Sequence, residues 1–365
     1  MAELNKNQYV PDQVSPPGAT LGETLAALGM SQSELACRTG RPKKTINEII
    51  KGKASITAET ALQLEKVLGV PASFWTNRER LYREYLARRD DDSALATHVD
   101  WARRFPVAKM VQLGWMPPCP GKLDRVRELL RFFGIASPNQ LEAACSDVRF
   151  RKSRPGHSEP LLVWLRRGEI EAQGVDCDAF DGEGFERVLD QARSWTLLSP
   201  SQFQPLVIEK CAKEGVAVVF VPELPGSGAH GATRWLSSTK AMLQLSLHYK
   251  TNDQLWFTFF HEAEHILRHG RGKSFVEVYG TKESQEEIEA SRFAGDRLIP
   301  QDGLNQFLRD SGSVFSAEKV KAFASKIGIA PGIVVGRLQH DRVIPYTHLN
   351  ALKVRLAWGE SRAAS

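Results

Sequence analysis

Three residues set the chemistry that this chain could perform. His261 and His265 stand four apart, with Glu262 beside the first of them. On a helix, positions i and i+4 lie one turn apart on the same face, so both imidazoles can reach a single metal ion. Glu262 then sits where it can take a proton from a water activated at that ion. His-Glu-x-x-His on a helix is the zinc-hydrolase arrangement, and Zn2+ is the metal it predicts. A catalytic zinc needs a third protein ligand and an open position. The long form of the motif is excluded, because Arg268 stands where a Gly belongs and Arg271 where a third His belongs. His269 is two turns from His261, about 12 Å along the axis, too far to share the ion. A Glu from a following helix is the remaining source. Residues 283–298 read as that helix, with Ala290, Phe293, Ala294 and Leu298 on its apolar face and Pro300 closing it. Glu286, Glu287 and Glu289 all lie near that face, and spacing alone does not choose among them.

The motif must be held by a helix, and the flanks supply one. Leu255, Trp256, Phe259, Phe260, Ile266 and Leu267 recur at helical spacing across 251–270. Asn252 or Asp253 is the expected N-cap and Gly270 the expected stop. Ionisable ligands in so apolar a segment need a compensating partner, and a metal is one. Upstream, a new unit begins at Pro200: a helix over 201–213, a buried strand over 215–222, a loop at 225–228, and strands over 231–235 and 242–247. A small sheet packed on the motif helix is expected, with the strand just before that helix as an edge for an extended peptide. His230 and Tyr279 are candidate transition-state donors. Residues 301–358 read as helical and basic.

A second constellation lies near the N-terminus. Residues 1–16, with Pro11 and Pro16 and with Pro17 directly after, read as a flexible arm. Between Gly22 and Gly69 come four short helical segments, and Val70 opens a fifth. Ser31 and Glu34 form a capping box, Gly40 breaks that helix, and Pro42 stands in the first turn of the next. Two short helices joined by a Gly turn make a helix-turn-helix, whose second helix enters the DNA major groove by its N-terminal residues. Here those are Arg41, Lys43, Lys44, Thr45 and Asn47, with Lys51 one turn on. Six Lys or Arg and one acid lie between Arg38 and Lys53, while Ile46, Ile49 and Ile50 face the other way. A basic stripe backed by its own core points to double-stranded operator DNA.

The remaining stretches are less specific. Arg78–Asp92 is highly charged and leads to an expected hinge at Asp90–Ser93. Residues 97–200 are helical in pattern, with Trp101, Phe105, Trp115, Phe132, Phe133, Trp164 and Trp195 as core, and show no catalytic constellation. The 365 residues allow two domains and a sizeable core. An apolar fraction of 42% excludes wholesale disorder, and a net charge of +5 permits nucleic-acid contact without requiring it. Five scattered Cys with no C-x-x-C fit reduced thiols rather than a disulfide framework. With no apolar leader and no membrane-length run, a cytoplasmic protein without a membrane role is expected.

Two resemblances sharpen this. Phe-Phe-His-Glu-Ala-Glu-His-Ile-Leu at 259–267, then Glu-Ile-Glu-Ala-Ser-Arg-Phe-Ala at 287–294 with Leu-Ile-Pro after it, resembles the ImmA/IrrE family of zinc metallopeptidases. The resemblance implies Glu287 as third ligand. The chain departs from the family in having Ser291 for the usual Asn or Asp, and Glu264 where a small residue is common. The segment 17–86 resembles Cro/repressor-type helix-turn-helix (XRE) regulators, closest to their HigA-like antitoxins, through Gly-Met-Ser-Gln-Ser-Glu-Leu-Ala at 29–36 and the run Ile49–Ala61. The expected fold is mainly α: a five-helix helix-turn-helix domain over 17–88, a helical linker or sensor over 89–200, an α+β zincin-like domain over 201–300 with a small sheet on the motif helix, and a helical extension over 301–365. The implied function is a DNA-binding regulator, acting as a homodimer, whose metallopeptidase domain cuts a regulatory protein or senses a signal. The alternative is an antitoxin-like autorepressor with a non-catalytic, toxin- or ligand-binding zinc domain.

Overall fold

Short helices ended by left-handed glycines build the N-terminal unit. Helices α1 (Pro17–Ala27), α2 (Gln32–Thr39), α3 (Lys43–Ile50) and α4 (Ala58–Leu68) precede the long α5 (Ala72–Ala96). Ser31 caps α2 by accepting from the Glu34 N–H, and Thr57 caps α4 by accepting from that of Thr60. Gly40 ends α2 at φ +67°, a backbone state that favours glycine, and so turns the chain into α3. Leu21, Leu35, Ile46, Ile49, Leu64 and Trp75 meet in one core. Gly18 makes the α1–α3 approach possible, since a Cβ there would stand 2.0 Å from the Ile49 carbonyl oxygen. The hinge expected at Asp90–Ser93 falls inside α5 instead. That run contains no Gly or Pro, and exposed pairs from Glu84 to Arg80 and Arg88 support the turns before it.

The computed structural model describes residues 14–141, 159–247, 250–270, 275–278, 284–312 and 314–358. Among them run sixteen α-helices and one four-stranded sheet, so the chain is mainly helical with its strands confined to the C-terminal region. It divides into two compact units, Met1–His98 and Val99–Ser365.

The second unit begins with α6 (Val99–Ala102), α7 (Val107–Gln112), α8 (Lys122–Phe133), α9 (Glu159–Gln173), α10 (Gly182–Trp195) and α11 (Pro200–Ala212). The sheet follows as β1 (Val216–Phe220), β2 (Ala229–Trp235) and β3 (Ala241–Leu245), and β4 (Phe275–Val278) joins it after α12 (Asn252–Arg268). The strand order is β1-β3-β2-β4, with β1 and β3 parallel and the other pairs antiparallel. The strand before the motif helix is therefore interior, not an edge: both sides of β3 are used, by β1 and by β2. The edges of the sheet are β1 and β4, and β4 was not expected from the sequence.

One face of the sheet packs Val216, Val218, Leu243 and Leu245 into the core that holds Leu255, Trp256, Phe259 and Phe260 of α12. The other face carries Gln244, which donates to the Trp164 carbonyl at 2.7 Å from β3 to α9. Helices α13 (Gln285–Leu298), α14 (Gln301–Ser311), α15 (Ala317–Ile327) and α16 (Pro331–His340) complete the unit. Beyond His340 the described residues form no α-helix, contrary to expectation. Residues 353–356 instead return to the start of α12. Val354 N–H donates to Asn252 Oδ1 at 3.0 Å, Leu356 N–H donates to the Lys250 carbonyl at 2.8 Å, and Lys353 Nζ lies 2.6 Å from Asp253 Oδ2. Those contacts occupy the side chains expected to cap α12, whose N-cap is Thr251; its C-cap is His269, one residue before Gly270.

Candidate functional site

Helix α12 carries His261, Glu262 and His265, all buried. Helix α13 crosses it, with the small residues Ala290 and Ala294 buried between helices. Ser284 fixes the start of α13 by accepting from the Glu287 N–H at 3.2 Å. The crossing brings the Glu287 carboxylate to both imidazoles: His261 Nε2 lies 3.0 Å from Oε2, and His265 Nε2 lies 3.6 Å from Oε1. The two Nε2 atoms are 3.2 Å apart. Burial works against ionisation of Glu287, but hydrogen bonds from His261 and His265 hold its carboxyl far below the usual carboxylate range. Burial lowers the pKa of His265, which favours the neutral ring that a metal requires.

These three residues are the one group of metal-ligand type among the described residues, their donor atoms all within 4.8 Å of one another. An ion held tetrahedrally at about 2.0–2.1 Å has neighbouring donors roughly 3.3 Å apart. Taken to the nearer carboxylate oxygen for each ring, the separations lie near that value, and two imidazoles with one carboxylate are donors of the type zinc takes. Ser291 Oγ stands 3.3 Å from His261 Nδ1, in contact with a ring edge despite being shorter than the usual family residue. The His265 ring stacks on Phe275 of β4 at a centroid distance of 4.0 Å.

Glu262 lies against the sheet. A Cβ on Gly231 of β2 would stand 2.6 Å from Glu262 Oε1, so that glycine makes room for the carboxylate. Glu264, one residue before His265, faces elsewhere: Arg268 Nε pairs with its Oε1 at 3.0 Å, and burial, opposed by Arg268, raises its pKa. It is not part of the metal-ligand group. Nor are Glu286 and Glu289; Glu289 Oε2 lies 3.3 Å from His269 Nε2. His230, on β2, lines a small cleft with Lys250, Gln254 and Thr258. Tyr279 lies outside the described residues. Sequence reasoning passed over Phe275 and Gly231. The alternation Phe275-Val276-Glu277-Val278 signalled a strand, but nothing local marked Gly231.

In the N-terminal unit Lys43, Lys44 and Lys51 are exposed, Thr45 and Asn47 are half-buried, and Ile46 and Ile49 are buried behind them. With Glu48 and Lys53, the three lysines and Asn47 line a concave surface. Asn47 Nδ2 also lies 3.4 Å from Gln32 Oε1, bridging α2 and α3. Arg41 behaves differently from the lysines. Its Nε donates to Gln63 Oε1 at 2.5 Å and its guanidinium pairs with Glu59 at 3.3 Å, so it is turned back onto α4.

A five-helix unit with a Gly-turned α2–α3 pair, followed by an α+β unit with His-Glu-x-x-His on a buried helix, defines a helix-turn-helix protein with a metallopeptidase-type domain. Comparison with known families agrees on both halves: the helix-turn-helix model HTH_3 matches residues 21–75, and Peptidase_M78, the IrrE N-terminal-like domain, matches residues 211–334. The chain belongs to the DNA-binding helix-turn-helix regulators of the Cro/repressor type that carry an IrrE-like domain. Among individual proteins it is similar to "Virulence-associated protein I" of Dichelobacter nodosus, 36% identical over 78 residues that make up 21% of this chain and 72% of that protein. It is also similar to a solved addiction module antidote protein of a HigA family from Coxiella burnetii, at 32% identity, 23% of this chain, 94% of that chain and a TM-score of 0.22. Among the described residues no helix is long and apolar enough to cross a membrane.

Proposed function

We propose that this chain is a homodimeric, operator-binding regulator whose C-terminal domain holds zinc through His261, His265 and Glu287 and hydrolyses a peptide bond in a regulatory protein. The observation that supports this reading best is the meeting of two buried imidazoles and one carboxylate with donor atoms within 4.8 Å of one another, with Glu262 on the same helix. Zinc bound there supplies a Lewis acid that polarises a carbonyl and makes water acidic. The chain's own part is proton handling and orientation. A Glu262 carboxylate oxygen takes the proton from the attacking water and returns it to the leaving amide nitrogen. Ser291 and Phe275 steady the two rings, and the surrounding core keeps bulk water away. On the DNA side, Lys43, Lys44 and Lys51 neutralise phosphates, and Thr45 and Asn47 face base edges.

Elemental analysis of the purified chain, combined with cleavage of a mixed fluorogenic peptide library, tests the reading. About one zinc per chain, lost in His265→Ala, is expected. Glu262→Gln should keep the zinc and lose turnover. A wild type without stoichiometric zinc refutes the site. Zinc without turnover in either protein favours the antitoxin-like alternative, in which the domain binds a toxin or ligand without cutting it.

A further inference from the structure

The contacts of His265 continue past the ligand group. Its Nε2 faces His261 and Glu287, which leaves Nδ1 on the far edge of the ring, 2.8 Å from Nδ1 of His269. The other nitrogen of His269, Nε2, lies 3.3 Å from Glu289 Oε2. The His269 side chain is 7% exposed and that of Glu289 51%, so this line of contacts leads from the buried centre to the surface. One assignment of protons leaves His265 Nε2 an open lone pair and satisfies the remaining atoms. The His265 Nδ1–H donates to His269 Nδ1, and the His269 Nε2–H donates to the Glu289 carboxylate.

We propose that His269 is a positioning residue: it fixes the tautomer and ring angle of His265, and Glu289 anchors it in turn. The proposal rests on the reading of His261, His265 and Glu287 as a zinc site. A metal-binding imidazole commonly gives its second N–H to a carboxylate or carbonyl, which orients the ring and raises its basicity. Here a second imidazole is placed between the ligand and the carboxylate. Local geometry makes this possible. His269 is the C-cap of α12, its N–H bonded to the His265 carbonyl, so its side chain lies one turn above the ligand. Phe275 stacks on His265 and stands 5.6 Å from His269, covering one side of the pair. Glu289 comes from α13, the helix that also carries Glu287. His261 meets the short Ser291 hydroxyl at its own Nδ1.

The test uses the full chain. Zinc affinity is measured by competition with a chromophoric chelator for wild type, His269→Phe, His269→Asn, Glu289→Gln and the His269→Asn/Glu289→Gln double variant. The melting temperature of each zinc-free protein is recorded alongside. His269→Phe should bind zinc roughly 10–100-fold more weakly, the range typical for loss of an outer partner, with zinc-free melting unchanged. His269→Asn, whose amide oxygen can stand near the lost Nδ1, should recover most of the affinity. Glu289→Gln should weaken binding in wild type and add nothing in the His269→Asn background. Wild-type affinity in His269→Phe overturns the relay and leaves the zinc site standing. So does a Glu289→Gln effect that persists undiminished beside His269→Asn, the comparison that decides if His269→Phe does not fold. Affinity that falls only in step with zinc-free melting assigns His269 to packing and also overturns it. A wild type that binds no zinc overturns the zinc reading, and the relay with it.

Discussion

Gly231→Ala tests how closely the sheet is fitted to Glu262. Gly231 lies within β2, paired to Leu245 of β3 on one side and, beside a register irregularity at Ala229–Gly231, to Glu277 of β4 on the other, so strands on both sides restrain its backbone. An added Cβ would stand 2.6 Å from both Glu262 Oε1 and Thr258 Cγ2, where ordinary contact begins at 3.4 Å. Something must therefore move by about 0.8 Å, the gap between those two distances. The α12 backbone is held by its packing on α13 and the sheet, so the displaced atoms are the Glu262 side chain and, to a lesser degree, Thr258. Overpacking of this kind costs about 1–3 kcal/mol. In a domain of roughly this size each kcal/mol lowers the melting temperature by about 2–4 °C. A base misplaced by nearly 1 Å loses on the order of 100-fold in turnover. His261, His265 and Glu287 are untouched, so zinc content should stay at the wild-type value. Calorimetry, elemental analysis and peptide cleavage on one preparation read all three. Wild-type melting together with wild-type turnover in Gly231→Ala would show that β2 does not confine Glu262.

Glu287→Gln should weaken zinc binding more than Glu286→Gln or Glu289→Gln does, measured by chelator competition; equal effects would remove Glu287 as third ligand. Lys353→Met leaves the buried Asp253 carboxylate without its ammonium, a change expected to cost about 3–5 kcal/mol, read by urea denaturation. A loss below about 1 kcal/mol would mean that the pair is not formed in solution. On DNA selected from a random duplex library, Lys44→Ala should reduce the salt slope of binding by roughly one. Arg41→Ala should leave that slope unchanged and destabilise the N-terminal unit by about 1 kcal/mol, because Arg41 is bound to Gln63 and Glu59. The opposite pattern would place Arg41 on phosphate.

Much of the fold class was readable because period and punctuation are local. Ser31, Gly40, Thr57 and Gly69 mark helix ends within a residue or two, and the apolar period across 255–267 announced α12. What was misread depended on tertiary partners. Strand order is not written in a strand, so β3 looked like an edge when β1 returned beside it. Asn252 and Asp253 have the chemistry of caps, but a segment a hundred positions later uses their side chains. The acidic run Asp90–Asp92 resembles a hinge, yet without a breaker it continues the helix. Positive charge alone placed Arg41 with the lysines, while its acceptors on α4 lie about twenty residues away. The choice among Glu286, Glu287 and Glu289 was left open by spacing for the same reason. It depends on how α13 crosses α12, and in the structure that crossing brings Glu287 to the two histidines.

The return of residues 353–356 to the first turn of α12 also orders events in time. A ribosome delivers the chain from its N-terminus, and domains tend to fold as they emerge. The first unit, through His98, has its whole core available early. Helix α12 does not. Asp253 has no cation and Asn252 no backbone partner until Lys353 and Val354 have been made, about a hundred residues of synthesis later at roughly 5–20 residues per second. The helix-turn-helix unit thus has its core early, while the helix carrying His261 and His265 waits several seconds for its final clasp. A chain interrupted in that interval would carry the first unit without a completed second one.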